Sequence, residues 1–268
     1  MPLLVPWLVQ GLVIGGAGAV LFFAPTTGHD IWGWELTPFN TRFLGAIYLA
    51  ALVPFLVFAL VRRWTFARLV VPMDLLFMSV VLAVSLAYVD RFKWERPTTW
   101  AWFLIFVSVP LYTAYLVVRL RTIRPAAPEP PRPSVRIGLR AASIPLAGYG
   151  IGLLVAPATV TSFWPWPVDG FHGRVYSAIF VTLALAAVIA ARGSSSVDLA
   201  TLALTLIALG ALQPIGLAVV DASVDKVDWS AAGTWIWIAM FAAMVALGVA
   251  LAATSTPFMQ GLERRRAQ

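Results

Sequence analysis

WGWELTPFNTR, residues 32–42, comes back as WPWPVDGFHGR, residues 164–174, each matched residue lying 132 positions further along. Trp32 pairs with Trp164, Trp34 with Trp166, Phe39 with Phe171 and Arg42 with Arg174. The same offset holds well outside the phrase. Gly16 and Gly18 match Gly148 and Gly150, Ala24-Pro25 matches Ala156-Pro157, and Ala46-Ile47 matches Ala178-Ile179. Further on, Thr99-Trp100-x-Trp102 returns as Thr234-Trp235-x-Trp237 at offset 135, and Asp90 corresponds to Asp221 at offset 131. Tryptophan, proline and arginine seldom align by chance over such a stretch, so the sequence predicts an internal duplication.

Composition says what was duplicated. The 268 residues are 60% hydrophobic and 12% charged, with a mean hydropathy of +0.86. That charged share is about half of what a soluble domain carries. Apolar runs of about 20 residues cross a bilayer as helices. Eight such runs are present, at 3–24, 42–61, 69–88, 100–118, 141–156, 174–191, 198–220 and 235–253. The first has small residues at 16–19 like a signal-peptide cleavage site, but it lacks a basic leading region, and its counterpart lies mid-chain. It is expected to be retained as a span.

The fold expected is therefore an all-α polytopic membrane protein with eight transmembrane helices in two parallel four-helix repeats, 1–118 and 141–254. Four spans per copy is an even number, so both copies enter the membrane in the same sense. The pseudo-twofold axis should then run along the membrane normal. A cytoplasmic Pro/Arg-rich stretch, 119–140, joins the copies as an extended linker, and a basic tail, 255–268, closes the chain.

If the spans alternate, 13 of the 19 basic residues fall on one side, and the other side holds six of them against eight acids. The positive-inside rule places both termini in the cytoplasm and the protein in the cell membrane. The formal charge of +7 is then a topogenic signal, and a nucleic-acid partner is not expected. With no cysteine in the chain, disulfides, thiolate catalysis, iron–sulfur ligation and cysteine-type zinc sites are excluded.

The paired phrases supply the candidate ligand-binding residues: Trp32, Trp34, Arg42, Trp164, Trp166, Asp169, His172 and Arg174. Two readings fit them. Tryptophan favours the headgroup level and arginine snorkels to it, which makes the phrase a duplicated aromatic belt with an anchor. Alternatively the two phrases face each other across the axis and line an outward cleft, with Arg42 and Arg174 gripping an anionic group. His172 beside Asp169 is the start of an acid/base or metal site, but no third ligand or metal motif accompanies it, so no metal and no cofactor are expected.

Asp74 is a candidate intramembrane acid, since charge at depth is costly and is usually kept for function. The competing reading has Pro72 starting the helix, leaving Asp74 in its first turn. Ser195-x-x-Asp198 reads as a capping box. Gly11-x-x-x-Gly15 allows close helix approach, inside one molecule or as a homodimer seam.

These features point first to a non-catalytic membrane subunit or a ligand- or lipid-binding protein that uses an outward Trp/Arg-lined surface. Membrane lipid, and a protein partner in the membrane or on the outer face, are the partners that reading implies. A secondary transporter of a small solute, anionic if the arginines bind it, is the alternative. Deep prolines unmatched between the halves (Pro54 against Ala186, Pro110 against Val245, Pro214 against Ala83) weigh against it. An enzyme acting on a lipid-linked substrate comes third, because no nucleophile-and-base pair is legible.

Overall fold

The computed structural model describes residues 4–61, 67–123 and 130–255. Ten α-helices and one 3-10 turn build them: α1 (Leu4–Phe23), α2 (Pro25–Ile31), α3 (Pro38–Val61), α4 (Ala67–Ala87), the turn Val89–Arg91, α5 (Pro97–Ile123), α6 (Pro133–Val155), α7 (Pro157–Val160), α8 (Gly170–Arg192), α9 (Ser196–Val224) and α10 (Ala232–Thr254). Eight of them, all but α2 and α7, are long and apolar enough to cross a membrane, and each of the eight expected spans overlaps one of these, overrunning its ends by no more than a residue.

The helices run past their lipid-length cores. α5 continues to Ile123 and α6 begins at Pro133, so both ends of the expected 119–140 linker are helical. Arginine and leucine propagate a helix well in water, and proline at a first-turn position is pre-set for one. Residues 124–129 lie outside the described segments, as do the arginines at 62, 63 and 264–266.

Packing follows two rows. α1 lies on α3, α3 on α9 and α9 on α10; α6 lies on α8, α8 on α4 and α4 on α5. The rows meet where α8 touches α3 and α9. Each row thus takes two spans from each half of the chain. The halves interlock through α3 on α9 and α8 on α4 instead of standing side by side as separate bundles. α8 is central, with 72% of its span buried. Its alanines, among them Ala178, Ala186, Ala187, Ala190 and Ala191, leave room for helices on several sides.

Close approach has a visible cause. A Cβ on Gly18 would sit 3.0 Å from the Leu49 backbone nitrogen, and one on Gly150 would sit 2.9 Å from that of Val181. Both glycines bring a span onto the next long helix of its own half. Gly11 and Gly15 face Phe55 and Leu52 of α3, so this stripe serves packing inside the molecule. At the start of α9, Ser195 and Asp198 form the reciprocal cap expected from their spacing.

Candidate functional site

The two phrases occupy one end of the bundle. α1 stops at Phe23, where Ala24 adopts φ −126° and ψ 61°, and Pro25 opens the short α2; Ala156, at φ −132° and ψ 58°, does the same before Pro157 and α7. A residue before proline is pushed out of the helical region, so each Ala-Pro pair breaks the helix and turns the chain across the bundle end. Each Trp-x-Trp then dives inward before α3 or α8 begins.

Trp34, Trp164 and Trp166 are buried, at 1%, 7% and 5% exposure, so these three do not face lipid. The aromatic-belt reading fits other residues better. Trp100 and Trp235 are more than half exposed, and their indole N–H groups donate to the carbonyls of Trp94 and Trp229.

The buried pair reaches across the molecule. Trp34 Nε1 donates to His172 Nε2 at 3.1 Å, and Trp166 Nε1 donates to Asn40 Oδ1 at 3.0 Å. The Trp34 ring meets Phe171 edge-on with centroids 5.4 Å apart, while Trp166 stacks on Phe39 at the same distance. Within each half the pattern recurs: Trp32, Trp34 and Trp102 pack edge to face, as do Trp164, Trp166 and Trp237.

Above these contacts lies a cleft of about 430 Å³, walled by Glu35, Leu36, Thr37 and Asn40 on one side and Pro167, Val168, Asp169 and His172 on the other. The second set is the first shifted by 132 positions. Neither arginine of the phrases is a wall. Arg42 Nε donates to the Phe22 carbonyl at 3.2 Å. Arg174 Nη1 donates to Tyr88 Oη at 2.7 Å and to the Gly170 carbonyl at 3.1 Å, with its guanidinium 5.7 Å from the Tyr88 ring centre. Both brace the bundle end.

The hydrogen bonds assign the His172 proton. An indole N–H can only donate, so Nε2 is the acceptor, and the proton on Nδ1 goes to Asp169 Oδ1 at 2.9 Å. Asp169 also caps α8 by accepting the His172 backbone N–H at 2.8 Å. Part burial works to raise the Asp169 pKa, but the ring and backbone hydrogen bonds of His172, with Arg91 nearby, outweigh it and hold the carboxyl below the usual carboxylate range. On the opposite wall Glu35 pairs with Lys93, whose hydrogen bond lowers the Glu35 pKa. His29 turns its Nδ1–H onto the Leu36 carbonyl and shapes this loop from behind.

With Nε2 occupied by an N–H that does not ionise, His172 has no lone pair to offer a substrate or a metal. The Asp169–His172 pair is therefore a fixed acceptor for Trp34 and not a general base. Among the described residues no three of His, Asp and Glu are grouped to hold a metal ion.

Asp74 lies elsewhere. α4 includes Ala67, and Pro72 is inside it, so Asp74 is two turns into the helix and the first-turn reading is corrected. Val71, the residue before Pro72, stays helical and is buried, as are Val70 and Met73. Gln10 of α1 donates to Asp74 Oδ1 at 2.9 Å; Oδ2 is buried without a partner, beside a cavity of about 60 Å³.

Of the eight cleft walls sequence reasoning named only Asp169 and His172; it missed Glu35, Leu36, Thr37, Asn40, Pro167 and Val168, and Gln10 as the Asp74 partner. Asn40 was legible as the residue 132 positions before His172; Gln10 carried no signal.

By its eight apolar spans the chain is a multi-pass helical membrane protein. Compared with protein-family models, curated proteins and solved structures, it matches none.

Proposed function

We propose that this is a non-catalytic ligand-binding membrane protein, built from two parallel copies of a four-span unit about a pseudo-twofold axis along the membrane normal. The loop end faces outward, both termini lie in the cytoplasm, and the cleft on the axis is the binding site. The observation that carries this reading is the exchange between halves. Trp34 binds the residue equivalent to Asn40, Trp166 binds Asn40 itself, and the cleft above has four pairs of equivalent walls. A twofold interface puts residue i on j and the equivalent of i on the equivalent of j. The matched helix pairs, α3 on α9 and α8 on α4, follow the same rule.

The lining selects the ligand's charge. No wall is a lysine or arginine, and Asp169, its pKa lowered, is ionised at neutral pH beside His172, whose Nε2 is taken up by Trp34. Leu36, Pro167 and Val168 add apolar surface. The cleft accordingly takes a cationic hydrogen-bond donor with an apolar body, of the amine type, rather than the anion the arginines alone suggest. The occupied imidazole of His172 favours binding over acid/base chemistry at this cleft.

Benzylammonium is a suitable probe, with uncharged benzyl alcohol as control. The purified protein should bind the cation in preference to the alcohol. Asp169→Asn keeps an N-cap acceptor but removes the charge, and should weaken the cation about tenfold or more while leaving the fold intact. Binding should hold as pH falls from neutral and weaken only as Asp169 takes up its proton, below the usual carboxylate range. Equal binding by wild type and Asp169→Asn would contradict the proposal.

A further inference from the structure

The two halves differ most usefully at one position. Trp164 Nε1 donates to Tyr149 Oη at 2.6 Å, and the Tyr149 ring packs edge-on against Phe180 with centroids 4.8 Å apart. Shifted by 132 positions, these residues are Trp32, Ala17 and Tyr48. Alanine cannot reach, so Trp32 Nε1 is buried with no partner. A cavity of about 420 Å³ opens here, with Ala17, Trp32 and Tyr48 among its walls.

From Thr98 to Tyr112 the α5 wall climbs 14 residue steps, about 21 Å at the helical rise of roughly 1.5 Å per residue. That exceeds the ~15 Å of a single hydrocarbon leaflet. The other long wall is α1, and the lining is apolar apart from a few groups, one of which, the Tyr112 hydroxyl, is also buried without a partner. A buried donor left unpaired costs about 1–3 kcal/mol, and such groups are rare unless something fills their place.

We infer that this cavity between α1 and α5 is a second binding site, for a membrane-dissolved apolar molecule whose hydroxyl or carbonyl oxygen accepts from Trp32 Nε1 as Tyr149 Oη accepts from Trp164. The ligand's oxygen lies at the Trp32 end, its body lies against Tyr48, and a longer tail runs along α5 toward Tyr112. The inference rests on the residue equivalence of the two-copy reading but not on the outer cleft.

The tyrosine side chain itself supplies the probe, p-cresol, with toluene as the same ring lacking oxygen. In purified protein p-cresol should raise the Tm and bind more tightly than toluene. Trp32→Phe should weaken p-cresol about 3- to 10-fold, the worth of one hydrogen bond, and leave toluene unchanged. Ala17→Tyr should melt higher than wild type without ligand and lose the p-cresol response. Equal responses of wild type and Ala17→Tyr, or equal affinities for p-cresol and toluene, would overturn the site. Should Ala17→Tyr not fold, the Trp32→Phe comparison decides alone: selective loss of p-cresol upholds the site and removes the equivalence, and unchanged p-cresol affinity overturns the site. A hyperstable Ala17→Tyr beside a wild type that ignores p-cresol upholds the equivalence and removes the site.

Discussion

Truncating Trp34 to alanine is expected to destabilise the protein by about 3–5 kcal/mol, the range for removing a buried aromatic. Its ring is 1% exposed and lies edge-on to Trp32, Phe92, Trp102 and Phe171, so the hole would open where the two halves meet. The hydrogen-bond part can be separated from the packing part at His172. His172→Ala removes the acceptor and strands the Trp34 N–H in the interior, costing about 1–3 kcal/mol. His172→Asn should recover most of that loss, because Asn40 already performs this task for Trp166 at the matched position. Thermal melting of the three variants in one detergent checks the order. Asparagine as damaging as alanine would mean that the two exchanges are not equivalent.

Asp74 gives the second large effect, with a sign that depends on the replacement. Asp74→Ala leaves the half-buried Gln10 amide without its acceptor and opens a hole beside α1, and should cost about 1–3 kcal/mol. Asp74→Asn offers Gln10 a carbonyl oxygen of the same shape. It also removes a carboxyl group that, among the described residues, has no cationic partner within ion-pair distance. Burying an amide costs less than burying an unpaired acid. Asp74→Asn should therefore melt at or above the wild-type temperature, and Asp74→Ala below it. Destabilisation by Asn as severe as by Ala would show that the carboxyl itself holds α4 to α1.

The sequence revealed those features whose causes are local. Length and apolarity mark a span, an Ala-Pro pair breaks a helix, and Ser195-x-x-Asp198 caps one, all within a few residues. The interlocking of α3 with α9 and of α8 with α4 was not legible, because spans apolar on every side carry no stripe to say which face meets protein. For the same reason Trp34 could not be told from Trp100 in the sequence: both follow polar loops, yet one is 1% exposed and the other 62%. Position 17 was legible only by its mismatch with Tyr149 between two matched glycines, and what the mismatch does depends on a tryptophan 15 residues away in sequence, brought near by the fold.

The claim that two parallel copies meet at their equivalent residues can be tested without background, since the chain has no cysteine. Glu35 and Pro167 are matched positions, both exposed and on opposite walls of the cleft. Glu35→Cys and Pro167→Cys, introduced singly and together, should each react with a membrane-impermeant maleimide added outside intact cells. In the double variant a short bis-maleimide should join the two thiols within one chain. Labelling of one position only after the cells are opened, or no intramolecular cross-link between the two, would contradict the account.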